Sequence, residues 1–294
     1  MASDFRTGST VEFDRNWRVR KETLYNHWRR GRPHNQIQLA FANHFDVFES
    51  YLRRDAADVG ACLEVGAGRG SISSFFAEAG YRCTLLDTSA AVLQVAEQIF
   101  TRNGHRASFV VGDANSLDFP DASFDVVVSI GLLEHFEDIE HPLREQLRVL
   151  RPGGRCLCYV VPENPRNVQR YFRFINAILR KLFASGRAAK ASAPKEPVYR
   201  TASLSRDYVD ALRRMGADDI DARGMYPMPM ISPSPDFPFT LMHPAAERGL
   251  TWLYRAVLHM RAALKKGHPW ICSEQIGQAF LVTCRKRPTR EAAR

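Results

Sequence analysis

A short apolar segment that runs directly into a glycine-rich turn constrains this chain more than any other feature. The segment reads Leu-Glu-Val at 63–65, and Gly66, Gly68 and Gly70 follow within five residues. Because glycine has no Cβ, this spacing allows a tight turn and lets the backbone approach a ligand closely. Residues 71–79 can form a helix whose first N–H groups face the same ligand. The pattern predicts a nucleotide-type site in an α/β fold.

Short apolar runs alternate with amphipathic stretches from residue 61 to residue 162. The run at 124–130 is rich in β-branched residues, which is typical of a strand buried in a parallel sheet. Such alternation predicts βαβ units and a doubly wound, Rossmann-like sheet. We expect strands at 62–65, 83–86, 109–111, 124–130, 155–161, 220–225 and 277–284, and helices at 71–79, 90–101, 142–150, 164–186, 204–215 and 245–265.

The flanks of this central part differ from it in composition, and the chain divides accordingly. The stretch at 226–238 is rich in Pro and Met, which excludes regular structure there. The divisions are an N-terminal helical cap (1–55), the Rossmann-like core (56–163), a helical insertion that serves as a lid (164–203), the completion of the core with a second insertion at about 226–270 (204–285), and a basic tail (286–294).

The charge is strongly positive and unevenly distributed. The 294 residues carry a formal net charge of +9, with basic clusters at 15–32, 166–190 and 285–294. Such surfaces attract nucleic acid, anionic lipid or a phosphorylated substrate. A solvated surface on a protein of high isoelectric point explains them equally well, so charge alone does not choose a partner.

Compartment and metal content are predicted from the apolar and cysteine-containing segments. No segment approaches the roughly 18 apolar residues of a membrane-spanning helix, and the polar first residues do not resemble a signal peptide. We therefore expect a cytoplasmic protein. Five of the six cysteines lie in apolar, strand-like segments, where a thiol behaves as a small hydrophobe. Cys156 and Cys158 lack a second pair or nearby histidines, so we expect no bound metal.

Two carboxylates end the second and third predicted strands. Asp87 is placed to accept hydrogen bonds from both ribose hydroxyls of a nucleoside. Asp113 can accept a hydrogen bond from the exocyclic amine of an adenine. Ligands of open α/β sheets bind at this carboxyl edge. The dinucleotide fingerprint Gly-x-Gly-x-x-Gly/Ala does not fit, because the third glycine comes one residue early and Ser71 takes the final position. The spacing disfavours a nicotinamide oxidoreductase.

These motifs together resemble the class I S-adenosylmethionine-dependent methyltransferases, in particular the small-molecule branch of ubiquinone and menaquinone biosynthesis. The resemblance covers about 61–162 with every motif in order, and more loosely 204–284. It implies a seven-stranded sheet with an antiparallel last strand and S-adenosylmethionine as the cofactor. The cofactor-binding residues that it implies are Glu64, Gly66, Ala67, Gly68, Gly70, Asp87, Thr88, Asp113, Ala114, Ile130 and Gly131.

Residues for the acceptor side are predicted from position and residue type. His135 follows the fourth strand and is the candidate general base, since imidazole titrates near neutrality. Capping or orienting the next helix is the alternative role of Glu134 and His135. Substrate-binding residues are expected in the flanking segments, where ordinary core packing is the alternative, and they are Tyr25, Trp28, Tyr171 and Met228.

These motifs and the resemblance together predict transfer of a methyl group to an O, N or C nucleophile of a small or medium organic molecule. RNA or protein is the alternative acceptor, which the net charge of +9 favours, but no base-flipping motif or RNA-binding module is apparent, so nucleic acid is the weaker candidate. A non-catalytic adenosylmethionine-binding partner subunit is the alternative from another class. We expect a monomer or homodimer without a membrane span, and leave peripheral membrane contact open.

Overall fold

The computed structural model describes residues 27–52, 60–164, 166–183, 200–232, 242–264 and 266–288. Eight strands form one sheet within these residues. In chain order they are β1 (Ala61–Val65), β2 (Arg82–Asp87), β3 (Ala107–Val111), β4 (Phe124–Ile130), β5 (Leu150–Val160), β6 (Asp218–Met225), β7 (Ile271–Cys272) and β8 (Ala279–Arg285). Their order across the sheet is β3-β2-β1-β4-β5-β8-β6-β7.

The helices lie on both faces of this sheet. They are α1 (Gln36–Glu49), α2 (Ser73–Glu78), α3 (Ala90–Asn103), α4 (Glu140–Val149), α5 (Arg173–Phe183), α6 (Ser205–Arg214) and α7 (Pro244–Leu264), with short 3₁₀ helices at Leu133–His135 and Val168–Phe172. One apolar cluster joins α1, α2, α3 and α7 to one face of the sheet. A second cluster joins α4 and α6 to the other face.

Helix α3 shows how the local sequence sets these bounds. The Ser89 hydroxyl accepts a hydrogen bond from the Val92 N–H at 3.4 Å, which satisfies one of the free donors of the first turn. The helix ends where Gly104 adopts a left-handed φ of 75°, a conformation that glycine adopts without steric cost. The side chains between these caps that point at the sheet are Val92, Leu93, Ala96, Ile99 and Phe100.

The predicted Rossmann-like sheet is confirmed, and the predicted strand count is wrong. Strands β1 to β5 pair in parallel, whereas β8 is antiparallel to both β5 and β6. The sheet has eight strands rather than seven, because Ile271–Cys272 pairs with Gly224 and Met225 at its edge. Two residues are too few to show an alternating pattern, so the sequence carries no signal for β7.

The junction between α4 and β5 also differs from expectation. We predicted a helix to residue 150 that is stopped by the Pro-Gly-Gly at 152–154, and α4 instead ends at Val149. Leu150 already pairs with Phe124 of β4. The Gly153 N–H donates to the Lys286 carbonyl at 2.8 Å, so the glycines belong to the sheet and continue its pairing beyond β8.

The Pro/Met segment (226–232) is irregular, as predicted for this part of 226–238, while 233–238 lies outside the described residues. Side-chain amides take the place of a strand partner for its backbone groups, which cannot be buried unpaired. Gln36 donates from Nε2 to the Ile231 carbonyl at 2.6 Å and accepts from the Ile231 N–H at 2.9 Å. The other amide contacts join Gln169 and Asn176 to Met230 and Gln278 to Met228.

The described part of the chain contains no helix that is both long enough and apolar enough to cross a membrane.

Candidate functional site

The glycine turn lies at the carboxyl end of β1, where chain order switches direction across the sheet. Gly66, Gly68 and Gly70 have φ values of 70°, 52° and 67°. All three lie in the left-handed region that side chains with a Cβ rarely enter. The Ala67 N–H donates to the Leu86 carbonyl of β2 at 2.9 Å, which fixes the turn beside the next strand. The sequence therefore needs glycine at each of these positions for backbone reasons alone.

The surroundings of the three glycines separate their roles. A Cβ on Gly66 would lie 2.7 Å from Leu132 Cδ1, and one on Gly70 would lie 2.4 Å from Leu85 Cδ2. These two glycines thus allow close packing within the protein. A Cβ on Gly68 would meet no atom of the described residues within 4 Å. The open side of the turn is therefore at Gly68, and it provides space for a ligand.

A Gly68→Ala variant tests this open side. We expect the ligand affinity of the turn to fall, because the new methyl group enters the ligand space and the left-handed φ costs about 1–2 kcal/mol. Gly153→Ala is the matched control, since Gly153 also has a positive φ, 76°, and also has open space at its Cβ position. Calorimetric titration with S-adenosylmethionine, paired with thermal unfolding, separates the two effects. Equal losses of affinity in both variants would contradict a ligand at Gly68.

Asp87 joins the glycine turn to the end of β2. Its Oδ2 accepts a hydrogen bond from the Gly68 N–H at 2.8 Å, and its Oδ1 accepts one from the Ser89 N–H at 3.0 Å. The carboxylate is half-buried, and a carboxylate oxygen can accept more than one hydrogen bond. The side chain therefore orients the turn at the end of β2, and its role toward ribose hydroxyls stays a prediction.

Glu64 supports the turn from inside the protein. The residue is 3% exposed, and its Oε2 accepts the Ser73 N–H at the start of α2 at 3.1 Å. Burial raises the pKa of the Glu64 carboxyl to about 8, and the charge of Asp87 adds to the shift. The carboxyl is thus largely protonated at neutral pH, so that Asp87 carries the negative charge of this region.

The end of β3 carries the predicted adenine-side residues. Asp113 is half-buried, and its Oδ1 accepts the Asn115 N–H at 2.9 Å, which closes a turn over the strand end. The Ala114 side chain is buried in the core instead of facing this edge, whereas Thr88 beside Asp87 is exposed. Val111 pairs with Asp87 and is 60% exposed. Sequence reasoning missed Val111, because exposure of an apolar strand end is not visible from its residue type.

The end of β4 reaches the glycine turn. Ile130 is the half-buried last residue of the strand, and the Gly131 N–H donates to the Tyr159 carbonyl at 2.9 Å. Gly131 has a φ of 64°, so the chain turns sharply there. Leu132 then extends across Gly66, as the Cβ distance above shows. The structure thus brings the predicted residues of β1, β2 and β4 together at one edge of the sheet.

Glu134 and His135 occupy the 3₁₀ helix that follows. Glu134 is 1% exposed, and its Oε2 is buried without a hydrogen-bond partner among the described residues. Burial raises the pKa of its carboxyl to about 7, although Arg200 and the Val161 backbone partly oppose the shift. The His135 Nε2 lies 4.0 Å from Glu134 Oε1, and its side chain is 10% exposed. His135, the predicted base, therefore lies next to the Glu134 carboxyl at the end of β4.

His27 connects the segment before α1 to the glycine turn. Its Nδ1 lies 2.6 Å from Ser71 Oγ, and its ring stacks on Phe41 of α1 at 4.9 Å. Burial, with a contribution from Arg69, lowers the pKa of His27 to about 3, so the ring is neutral. Sequence reasoning missed this contact, because no local pattern connects residues that lie 44 positions apart.

The predicted substrate-binding residues do not form one group. Tyr25 lies outside the described residues. Trp28 is 7% exposed and packs edge-on against His105 at 4.5 Å, near the start of β3 and so away from the carboxyl edge. Tyr171 is 69% exposed on the 3₁₀ helix before α5, and Met228 is buried in the Pro/Met segment. Only Met228 belongs to the interior next to α1 and β5.

An aromatic cluster occupies this interior beside the end of β5. His44 of α1 is its centre, with ring distances of 4.5 Å to Tyr159, 5.5 Å to Tyr226 and 5.6 Å to Trp270. Trp270 Nε1 donates to His44 Nδ1 at 2.9 Å, and burial lowers the pKa of His44 to about 3. Tyr226 has a φ of 67°, a strained conformation for a bulky side chain, and it stacks on Trp270. The interior beside the end of β5 is thus aromatic and apolar.

The donor set fits S-adenosylmethionine, the cofactor that the motifs imply. The open space at Gly68 admits a ligand against the backbone, and the Asp87 carboxylate at its rim suits ribose hydroxyls. A positively charged sulfur is compatible with the nearby Asp87 carboxylate.

Comparison with known proteins agrees with this geometry. Residues 63–158 match the family described as "Methyltransferase domain". The chain is 34% identical over 145 residues to the ubiquinone/menaquinone biosynthesis C-methyltransferase of Desulfotalea psychrophila, covering 46% of this chain and 58% of that protein. It is 38% identical over 108 residues to the demethylmenaquinone methyltransferase of Staphylococcus carnosus, covering 35% and 44% respectively. The chain thus spans about half the length of the curated relatives that it matches.

A solved structure extends the comparison to nearly the whole chain. An S-adenosylmethionine-dependent methyltransferase of Thermotoga maritima superposes with a TM-score of 0.54 over 95% of this chain and 100% of its own, at 14% identity. An identity this low shows a shared fold and nothing finer. Residues 63–158 thus form a methyltransferase domain, and the chain is similar to the class I S-adenosylmethionine-dependent methyltransferases, among them the ubiquinone and menaquinone enzymes.

Proposed function

We propose that this protein transfers the methyl group of S-adenosylmethionine to a carbon nucleophile on the ring of an apolar, quinone-type small molecule. The observation that carries the proposal is the hydrogen-bonded clamp between Asp87 and Gly68, with open space on the ligand side. Two relatives named as methyltransferases of quinone biosynthesis support the acceptor class. We further propose a cytoplasmic location for the reaction.

The roles of the cofactor-side residues follow from their placement. Gly66, Ala67, Gly68 and Gly70 supply the backbone against which the amino-acid end of the cofactor lies, and Glu64 supports them from below. Asp87 accepts the ribose hydroxyls, with the exposed Thr88 beside it. The turn formed by Asp113 and Ala114, together with exposed Val111, borders the adenine. Ile130 and Gly131 border the sulfur.

Bound S-adenosylmethionine supplies a methyl group on a positively charged sulfur, and transfer of that methyl to a nucleophile leaves the sulfur as a neutral thioether. The residues of the chain then have to align the nucleophile and remove its proton. Holding the two reactants in contact removes much of the entropic barrier. The buried cluster of His44, Tyr159, Tyr226 and Trp270 supports the end of β5 from the interior and makes the protein behind it apolar.

We assign proton removal to the Glu134 carboxylate, with His135 as the neighbouring group. Methylation of a ring carbon on a hydroquinone releases one proton from the acceptor, and a base near the acceptor takes it up. Glu134 is buried within reach of Gly131, since a Cβ on Gly131 would lie 3.6 Å from Glu134 Oε1. Its pKa of about 7 lets the carboxyl take a proton near neutral pH.

A product assay tests the proposed function. The protein is incubated with S-adenosylmethionine carrying a deuterated methyl group and with a short-chain demethylmenaquinol, and the products are followed by mass spectrometry and NMR. We expect S-adenosylhomocysteine and an acceptor that has gained the methyl group with loss of a ring proton. A methyl group on oxygen would contradict carbon transfer, and product formed on RNA alone would contradict a small acceptor. Cofactor binding without any turnover, across a panel of quinols, phenols and RNA, would favour a non-catalytic partner subunit.

A further inference from the structure

Helix α5 exposes a row of apolar side chains to solvent. Phe174, Ile178 and Leu182 are 63%, 53% and 67% exposed, and they follow one another at intervals of four residues. Tyr171, 69% exposed, precedes them on the same side at an interval of three. The inward side of this region is a separate set, Phe172, Ile175 and Leu179, which packs against the core. The exposed row is therefore additional to what the fold requires.

Helix α7 exposes a second apolar row. Trp252, Met260 and Leu264 are 71%, 57% and 78% exposed, and Leu253 beside them is 49% exposed. The inward side is again separate and is formed by the buried residues Thr251, Tyr254 and Leu258. Single exposed apolar residues are ordinary on a protein surface. Two continuous exposed rows of large apolar side chains, one on each helix, are not ordinary there.

The two helices attach to the same part of the fold. Asn176 of α5 donates to the Met230 carbonyl at 3.0 Å and accepts the Ser232 N–H at 3.2 Å. The Tyr254 hydroxyl of α7 donates to the Pro229 carbonyl at 2.8 Å. Both helices thus pack on the Pro/Met segment, which itself covers the aromatic interior beside β5. The exposed rows lie on the outer layer next to the proposed acceptor side.

The exposed charges on the two helical segments themselves are basic among the described residues. Residues 166–183 contain no Asp or Glu, and their exposed basic side chains are Arg166, Arg170, Arg173, Arg180 and Lys181. In α7 the carboxylate is Glu247, which is 2% exposed and accepts from the Gln36 N–H at 3.2 Å. Arg248 and Lys266 are exposed near its two ends. Exposed apolar rows on segments whose own exposed charges are basic are complementary to an anionic, apolar partner.

We propose that α5 and α7 form a docking surface for an anionic lipid bilayer, on which the protein binds peripherally. An interfacial helix inserts its apolar row at the boundary of headgroups and acyl chains, while the flanking Arg and Lys contact anionic headgroups. Each basic residue near such a surface adds to the attraction. RNA would use the basic residues and the aromatic rings but not the aliphatic side chains of Ile178 and Leu264, and a second copy of this surface would bring like charges together. The inference does not depend on methyl transfer.

Vesicle binding tests the proposal directly on the full chain. We expect sedimentation with vesicles of phosphatidylcholine and phosphatidylglycerol at a ratio of about 7:3, with at least tenfold weaker binding to phosphatidylcholine alone. Tryptophan fluorescence should shift to the blue on binding, because Trp252 is 71% exposed before it, whereas Trp28 and Trp270 are 7% and 1% exposed. Trp17 lies outside the described residues, so the assignment to Trp252 needs a variant. A Trp252→Phe variant should bind and lose the shift.

Matched variants distinguish binding through this surface from non-specific hydrophobic or electrostatic binding to vesicles. Phe174→Asp with Trp252→Asp, and separately Arg173→Glu with Arg180→Glu, should each reduce vesicle binding about tenfold or more. Leu204→Asp and Arg213→Glu are the controls, since both residues are exposed next to or on α6, which packs on the opposite face of the sheet. Unchanged circular dichroism and S-adenosylmethionine affinity establish that the variants fold.

Three results would overturn the proposal. The first is vesicle binding that Leu204→Asp or Arg213→Glu reduces as much as the variants in α5 and α7. The second is a dimer in light scattering that Trp252→Asp dissociates, which would make a second copy the partner. The third is binding to single-stranded RNA, lost in Arg173→Glu with Arg180→Glu, in a protein that does not sediment with either vesicle.

Discussion

The Asp87→Ala variant is expected to bind S-adenosylmethionine about 10²- to 10³-fold more weakly than the natural protein. Hydrogen bonds to a charged group contribute about 1.5–3 kcal/mol each, and two ribose hydroxyls are expected to donate to this carboxylate. The change also removes the acceptor of the Gly68 N–H, so the glycine turn loses its 2.8 Å contact with the end of β2. Isothermal titration calorimetry with the cofactor measures the loss directly.

Two further variants separate the carboxylate's role from its charge. Asp210→Ala removes an exposed negative charge on α6, where Asp210 accepts from Arg213, and it should leave the affinity within about twofold. Asp87→Asn retains one oxygen acceptor and should give an affinity between those of the natural protein and Asp87→Ala. An affinity for S-adenosylmethionine that stays unchanged in Asp87→Ala would remove Asp87 from the cofactor site.

Much of the fold is predictable from the sequence because its signals are local. The β-branched run of β4 requires burial on both faces, and the closely spaced glycines of the turn require positive φ values, which the structure shows at each. The antiparallel last strand was implied by the family resemblance rather than by periodicity. The short β7 was missed, since two residues have no pattern and pair only because Gly224 lets the chain at Cys272 approach.

In the candidate site, too, the features set by local sequence are predictable and the contacts between distant segments are not. The sequence predicts that Asp87 and the turn are neighbours, yet the bond between Asp87 Oδ2 and the Gly68 N–H depends on the twist of two strands. His27 meets Ser71 only after the chain folds. For Glu134 a signal was present, because an acid preceded by Leu132 and Leu133 indicates a buried carboxyl. The ordinary pKa range of imidazole favours its neighbour His135 as the general base, but that range takes no account of burial.

The Glu134→Gln variant is expected to lower kcat for methyl transfer about 10²- to 10⁴-fold, which is the usual contribution of a positioned base. The amide keeps the size of the side chain but cannot accept the proton that leaves the acceptor. Since Glu134 is buried and carries a pKa of about 7, the base form is the carboxylate that appears as pH rises. We therefore expect kcat of the natural protein to rise through about pH 7, and kcat of the variant to be nearly independent of pH there.

His135→Gln is the matched comparison, because it replaces the adjacent side chain whose Nε2 lies 4.0 Å from Glu134 Oε1. If Glu134 is the base, this change lowers kcat by a smaller factor and preserves the rise near pH 7. If the rise disappears in His135→Gln and persists in Glu134→Gln, the base is His135 and our assignment to Glu134 is wrong. Cofactor affinity in both variants should stay within about threefold of the natural value, because the clamp of Asp87 and Gly68 lies on the other side of the switch point. A large loss of affinity in Glu134→Gln would instead make its carboxylate a contact of the sulfonium.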